Sequence, residues 1–272
     1  MKENHSISVS VICPTYNAEN FISKTIESVI NQTRSVSELI VIDDGSSDKT
    51  VSVVRKIFSN CDKAIRTKLI CNDHKGPGHA RNSGIRIAKS EWIAFLDSDD
   101  IWHKKKIEEV FNEISIEENS DINFLCHNEE RINIQKSISI INCSERYKSS
   151  STLKKQLFWT NLFSTSAVVC KRDLLLNYGL FDENLLSIQD YELWLRLSEH
   201  INVKLLNSVL GSYVERRGNI TYGNTIKRFT NEFKVLMKYR QGISVHKVIL
   251  RIIKLCLSHS LQFAKKIRSR LW

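Results

Sequence analysis

The first hundred residues alternate short, β-branched apolar runs with longer stretches of helical spacing, and this alternation constrains the fold more than any other feature. Ser6 to Cys13 (SISVSVIC), Glu38 to Ile42 (ELIVI), Lys68 to Cys71 and Trp92 to Leu96 (WIAFL) read as strands. Between them, Phe21, Ile22, Ile26, Val29 and Ile30 fall on one face of a helix over Ala18 to Gln32. A second helix runs to Phe58, with Ser46 or Ser47 as its expected cap, and a third from about Gly78 to Lys89. Strands and helices joined by short connections predict an α/β fold, a Rossmann-like, mostly parallel open sheet with helices on both faces.

Ligands bind such sheets at the carboxyl ends of strands. Three polar clusters fall there: Pro14-Thr15-Tyr16-Asn17, Asp43-Asp44-Gly45-Ser46 and Asp97-Ser98-Asp99-Asp100. The second half is less regular. Asp121 to His127 and Arg131 to Ile141 read as strands, and Val203 to Val214 as two short ones. Leu153 to Trp159, Asp190 to Glu199 and Thr225 to Tyr239 read as helices. No repeat or low-complexity linker appears. The expected divisions are a nucleotide-sugar half over 1–115, an acceptor and catalytic half over 116–222, and a basic helical extension over 223–272.

Neither G-x-G-x-x-G nor G-x-x-x-x-G-K-[ST] occurs, so phosphates are not held by a glycine-rich loop of either common kind. A divalent cation bridging a diphosphate to carboxylates is the alternative, and Mg²⁺ or Mn²⁺ needs only one or two protein carboxylates for it. An acidic cluster is by itself ordinarily a solvated turn. Here an apolar strand runs straight into Asp97-Ser98-Asp99-Asp100, and two further polar loops share the sheet edge.

The segments VSVICPTYNAENFISKTIESVINQT, ELIVIDDGSSDKT and GPGHARNSGIRIAKSEWIAFLDSDD, in this order, resemble the family 2 glycosyltransferases of GT-A fold. The resemblance covers about residues 7–110 and returns at Gln189 to Leu197 (QDYELWLRL). It implies that Pro14 and Tyr16 line a nucleobase pocket and that Asp44 accepts from the uracil N3–H. Arg81 would lie near the base and diphosphate, Asp97 at the ribose, Asp99 on the Mn²⁺ or Mg²⁺, and Asp100 at the metal's water shell or the donor sugar. Asp190 would be the base that takes the acceptor's proton; a helix cap is its structural alternative. The family often has Glu where this chain has Gln189.

The formal charge of +10 is not spread evenly: Phe233 to Trp272 carries ten basic side chains and no acidic one. On a helix over Val245 to Ile267, Val245, Ile249, Ile252, Cys256, Phe263 and Ile267 share one side, and Lys247, Arg251, Lys254 and Lys265 the other. This pattern suits an anionic membrane surface; the alternative is an apolar side packed on the chain's own domain. No nucleic-acid module is present, so nucleic acid is not an expected partner. The seven cysteines are odd in number and lack C-x-x-C spacing, which fits small hydrophobes in a reducing compartment. The first residues lack a signal peptide's apolar core, and no apolar stretch nears the roughly 20 residues that span a bilayer. The expected location is the cytoplasm, peripheral on the inner membrane.

Family 2 enzymes with membrane-seeking tails resemble those that extend lipid-linked sugars in bacterial surface polysaccharide assembly. The implied reaction moves glucose from UDP-glucose in β-linkage onto N-acetylglucosamine on undecaprenyl diphosphate, with UDP-galactose or UDP-N-acetylglucosamine as alternative donors. Two other classes fit the carboxylate clusters: a sugar nucleotidyltransferase, separated by release of pyrophosphate rather than UDP, and a non-catalytic nucleotide-sugar binder, separated by donor turnover. His74 and His79, beside Gly76-Pro77-Gly78, are donor contacts or solvated loop residues. His127, Trp159, Phe163 and Trp194 are expected in the core, one aromatic being available to stack on an acceptor sugar.

Overall fold

A computed structural model describes residues 7–61, 64–216 and 225–268. Its sheet has the strand order β3-β2-β1-β4-β8-β6-β9-β5, with β7 paired to β6. Strands β1 (Val9–Thr15), β2 (Glu38–Asp43), β3 (Arg66–Cys71) and β4 (Trp92–Phe95) are parallel, with Cys13 opposite Val41 and Ile12 opposite Phe95. Every residue of β1, β2 and β4 is buried, which is why these strands read as unbroken apolar runs. β8 (Val168–Lys171) pairs antiparallel with β4, placing Cys170 opposite Ile93, and the second half builds outward from it. β6 (Phe124–Ile132) runs parallel to β9 (Val203–Val214), and β5 (Ile101–Trp102) closes that edge.

Alternation along each strand divides the core. Ile12, Ile42, Phe95, Phe124 and Trp194 fill one face of the sheet, while Val11, Val41, Ile26, Val54 and Phe111 fill the other. Helices α1 (Ile22–Ile30) and α2 (Thr50–Ser59) bury Ile26 and Val54 on the second face. α3 (Pro77–Ile87) presses on the first face so closely that a Cβ at Gly84 would meet Ile42 at 2.7 Å and Ile12 at 2.8 Å. α4 (Lys106–Ile114), α5 (Cys143–Arg146), α6 (Leu153–Trp159), α7 (Arg172–Tyr178) and α8 (Gln189–Leu197) complete this body.

Several expectations are corrected. Arg131 to Ile141 is not one strand but the end of β6, a hairpin turn and β7 (Ile138–Ile141). Asn133 Oδ1 accepts from Ser137 N at 2.9 Å, and Lys136 turns at φ 63. Val203 to Val214 is a single strand, with register shifts opposite His127, Asn128 and Glu129. Neither Ser46 nor Ser47 caps α2. Asp48 Oδ1 accepts from Thr50 N at 2.9 Å instead, while Ser46 Oγ accepts from Asn17 N and Ser47 N donates to Asn17 Oδ1. The two serines thus splice the loops after β1 and β2.

The basic extension forms α9 (Thr225–Lys238) and α10 (Val245–Arg268). Both are part of the core, through Val235, Leu236 and Leu255 beside Trp194. Buried Glu192 of α8 pins α9: it accepts from Tyr239 Oη at 2.5 Å, Lys238 Nζ at 3.0 Å and Arg196 Nη2 at 3.1 Å. On α10 Lys247 and Lys254 are exposed, but Arg251, grouped with them, is 5% exposed; it donates to the Phe158 carbonyl at 3.0 Å and to Glu232 at 2.7 Å. Val245, Ile249, Leu250, Ile253 and Leu257 face outward, so the alternative of an apolar side packed on the domain is corrected. A cation on the inward turn compensates the partly buried Glu232 carboxylate. Lys265, Phe263 and Ile267 lie outside the residues whose side chains are described.

Candidate active site

The three polar clusters stand together at the carboxyl edge of β1, β2 and β4. Tyr16, exposed after β1, stacks on His74 with ring centroids 4.2 Å apart. Pro14 is buried at the end of β1. Asp44, 3% exposed, accepts from the amides of Lys75 at 2.9 Å and Gly76 at 2.8 Å, with His74 Nδ1 2.8 Å from its carboxylate. Its carboxylate therefore organises the 74–76 loop at the start of α3, beneath the Tyr16–His74 platform. Gly45 makes this possible: at φ +79 it runs so close to the loop that a Cβ would meet His74 N at 2.9 Å.

Arg81 of α3 joins the two halves of the molecule. Buried at 6% exposure, it donates to Asp97 Oδ1 at 2.5 Å and to Gln189 Oε1 at 3.3 Å. Among the described residues its buried Nε finds no hydrogen-bond partner. A glutamate at position 189, as the family pattern often has, would set a second charge against this guanidinium; the amide here accepts without one.

The Asp97–Asp100 loop is clamped from below. Ser166, in the 3₁₀ turn Thr165–Ala167, accepts from Asp97 N at 3.0 Å and donates to Asp100 Oδ2 at 2.6 Å. Thr25 of α1 donates to the carbonyls of Ser98 and Asp100, and Val214 N of β9 donates to Asp100 Oδ1 at 3.1 Å. Asp100 is thus sealed at 2% exposure with both oxygens taken. In this structure its carboxylate holds the loop. Ser166's carbonyl is gripped in turn by Lys106 Nζ at 2.6 Å and Trp102 Nε1 at 3.1 Å. Lys106 is fully buried, and burial drives its pKa down while Glu129, also buried, is pushed up by the same cause.

Asp97 and Asp99 are half-buried. Burial, with the Asp97 charge beside it, pushes the Asp99 carboxyl up to about 6. Arg216, lying over the Phe21 ring, donates to the Asp99 carbonyl at 2.5 Å. Asp99 is a hard oxygen donor crowded by like charge, and a divalent cation would relieve that crowding. Among the described residues no three His, Cys, Asp or Glu side chains gather as a metal cage.

Asp190 faces the same cleft. It is the second residue of α8; the residue before the helix is Ile188, left-handed at φ 60, and no side chain caps the helix. Asp190 is therefore not the cap that the structural alternative required. A β-branched residue held in this region costs about 1–3 kcal/mol, and it turns the Asp190 segment toward the cleft. Burial pushes the Asp190 carboxyl above its usual range, against the Tyr191 amide, Arg81 and Asn161. Asn161 Nδ2 donates to Asp190 Oδ2 at 2.9 Å. A cleft of about 360 Å³ is lined by Arg81, Asp97, Asn161, Asp190, Arg228 and Arg251 among others.

A model of glycosyl transferase family 2 matches residues 10–179. The chain belongs to this family. This glycosyltransferase is 34% identical over 231 residues to the UDP-Glc:alpha-D-GlcNAc-diphosphoundecaprenol beta-1,3-glucosyltransferase WfgD of Escherichia coli, covering 84% of this chain and 85% of that enzyme. Several further curated relatives are longer, and the chain spans 30% to 65% of them. In fold it matches S. aureus TarS 1-349 in complex with UDP-GlcNAc, at TM-score 0.64 and 18% identity over 94% of this chain and 81% of that one. It also matches the mannosyltransferase PcManGT from Pyrobaculum calidifontis in complex with GDP-Man and Mn2+, at TM-score 0.62 and 16% identity over 97% and 80%. The architecture is accordingly GT-A.

The site also holds residues that the sequence pattern did not single out. Asn161 and Ser166 contact the expected carboxylates directly, Arg216 holds the Asp99 carbonyl and Lys106 the Ser166 carbonyl. Their one signal is the polar run Ser164-Thr165-Ser166 feeding directly into the apolar strand β8. His127, Phe163 and Trp194 are core residues as expected, whereas Trp159 is partly exposed.

Proposed function

We propose that this glycosyltransferase moves glucose from UDP-glucose in β-linkage onto N-acetylglucosamine carried on undecaprenyl diphosphate, in assembly of O-antigen or a related surface polysaccharide. The observation that carries it is the single cleft in which Asp97 and Arg81 of the donor edge meet Asp190 of α8. The identity to the Escherichia coli glucosyltransferase over most of both chains supports the donor and acceptor.

Tyr16, stacked on His74, offers the nucleobase a flat surface, with Pro14 behind it and Asp44 fixing the loop. Asp97 takes the ribose. Asp99 would hold Mn²⁺ or Mg²⁺, which supplies charge neutralisation at a diphosphate when bound. Asp190 accepts the proton of the acceptor hydroxyl as that oxygen forms a bond to the anomeric carbon. The bond from that carbon to the diphosphate breaks, and UDP leaves with the electron pair. Arg81, lining the cleft, stabilises the charge gathering on the leaving group. One displacement from the face opposite the leaving group inverts the anomeric centre, so an α-linked donor yields a β-linked product.

No helix among the described residues is long and apolar enough to cross a membrane. We place the protein at the cytoplasmic face of the inner membrane, held by α10. Ile249, Ile253 and Leu257 are exposed there near Lys247 and Lys254, an apolar strip with basic flanks that suits an anionic lipid surface. Changing Ile249 and Ile253 to Glu leaves the inward residues in place, so sedimentation with anionic vesicles tests this contact cleanly; unchanged sedimentation removes it.

The activity is tested by incubating the protein with UDP-sugars, Mn²⁺ and a synthetic alkyl-diphosphate-linked N-acetylglucosamine. Glucose transfer with a β-anomeric product and release of UDP are expected. Transfer from another UDP-sugar alone would replace the donor, and no transfer from any would remove the reading.

A further inference from the structure

Among the described residues, three carboxylates line the cleft: Asp97, Asp190 and Glu232. The first two serve the donor and the base in the preceding reading. Glu232, from α9, has no part in it. A chain of hydrogen bonds nevertheless ties it to the base. Asn161 Nδ2 donates to Asp190 Oδ2 at 2.9 Å. In the same short segment, the Phe158 carbonyl accepts from Tyr191 Oη at 3.1 Å and from Arg251 Nε at 3.0 Å. Arg251 Nη2 then donates to Glu232 Oε1 at 2.7 Å. The residue after the base and the partner of Glu232 thus share one acceptor, which fixes both carboxylates on the acceptor wall.

Glu232 is held without being sealed. Its side chain keeps 16% exposure, and it lines the cleft. Arg251 occupies Oε1, and His259 Nε2 lies 3.4 Å from Oε2. A carboxylate offers about four acceptor positions, so the group can take a further donor. The Arg251 charge balances that of Glu232, and the wall here presents an ion pair with acceptor capacity to spare. Such a surface suits a neutral hydroxyl, whereas a phosphate placed there would meet the repulsion of the carboxylate.

We propose that Glu232 accepts a hydrogen bond from a second hydroxyl of the acceptor sugar, one that is not attacked, and so selects the acceptor by where that hydroxyl stands. This rests on the sugar acceptor at Asp190 of the preceding reading and adds a residue that reads its hydroxyl pattern. Arg251 of α10 is the positioning residue behind it. An analogue that lacks the hydroxyl leaves a desolvated carboxylate unpaired, which is how a polar site rejects a close isostere.

The test measures kcat/KM of the full chain for alkyl-diphosphate-linked N-acetylglucosamine and for its monodeoxy analogues. The analogue that loses transfer altogether marks the attacked hydroxyl. Of the others, one is expected to fall roughly 10- to 100-fold in the wild type, the range for a hydrogen bond to a charged group. In Glu232→Ala the parent and that analogue should be used nearly alike. Glu232→Gln keeps an oxygen for Arg251 and the hydroxyl; it is expected to retain only part of the discrimination, and it carries the test if Glu232→Ala does not fold. A merely structural role would lower kcat/KM for every acceptor alike and leave the ratio unchanged. Discrimination of wild-type size in the variants therefore overturns the proposal, as does a wild type indifferent to every hydroxyl but the attacked one. UDP affinity, measured by calorimetry, is expected to stay at the wild-type value in Glu232→Gln; a parallel loss would put Glu232 on the donor and also overturns it. Failure of the wild type to use any of these acceptors removes the acceptor reading itself, a result that needs no variant.

Discussion

The donor edge and the acceptor wall of the cleft are built in opposite ways. On the donor edge each polar cluster directly follows its own strand, so Tyr16, Asp44 and Asp97 are placed by local chain geometry. On the acceptor wall, Asn161, Asp190, Arg228 and Arg251 come from four segments separated by irregular chain. They meet only because α8, α9 and α10 pack together over the sheet. Periodicity specifies the first kind of site. The second kind depends on side-chain partners far apart in the chain.

The contrast breaks most sharply at Asp190. Asp190→Asn keeps the side chain's shape and its contact with Asn161's neighbourhood, but removes the base. Transfer is expected to fall by about 10²–10⁴-fold while UDP binding is retained. Equal loss of both in a binding and turnover assay would make Asp190 part of the donor edge's support and erase the division.

Below the edge, Lys106→Met leaves the buried Ser166 carbonyl without one donor. Losing such a buried partner costs about 1–3 kcal/mol, to be read from urea unfolding, with Lys106→Arg losing less. Wild-type stability would mean that the network does not hold the edge. On the other side, Leu255→Ala opens space under α10 and is expected to cost about 2–4 kcal/mol. It should weaken acceptor use before UDP binding; the reverse order would tie α10 to the donor edge.

The smallest effect is in pH. On the proposed mechanism Asp190 acts when ionised, so kcat/KM should be lost as pH falls through its raised pKa. Asn161 donates to the ionised form, and Asn161→Ala should move the acid limb to higher pH. A limb that stays in place would mean another group sets it.

The sequence made the parallel strands, the helix that begins with Asp190 and the Asp97–Asp99 loop legible because each is coded by nearby residues. It did not reveal that Asp100 turns inward, because nothing within the loop distinguishes it from Asp99. The difference is made by Ser166 and Val214, more than sixty residues away. The burial of Arg251 on α10 was hidden for a related reason: helical spacing groups it with Lys247 and Lys254, and only the distant Glu232 and the Phe158 carbonyl draw it inward. Gln189 was visible as a departure, yet its contact with Arg81 was not.

The clamp by Ser166 and Val214 also bears on how the molecule is made. The acidic loop ends at residue 100, but its backbone amide at Asp97 and its carboxylate at Asp100 find their partners only at residues 166 and 214. A nascent chain that has released only its first hundred residues holds this loop by Thr25 and Arg81 alone. The inward clamp on Asp100 can close only after β9 has left the ribosome and joined the sheet.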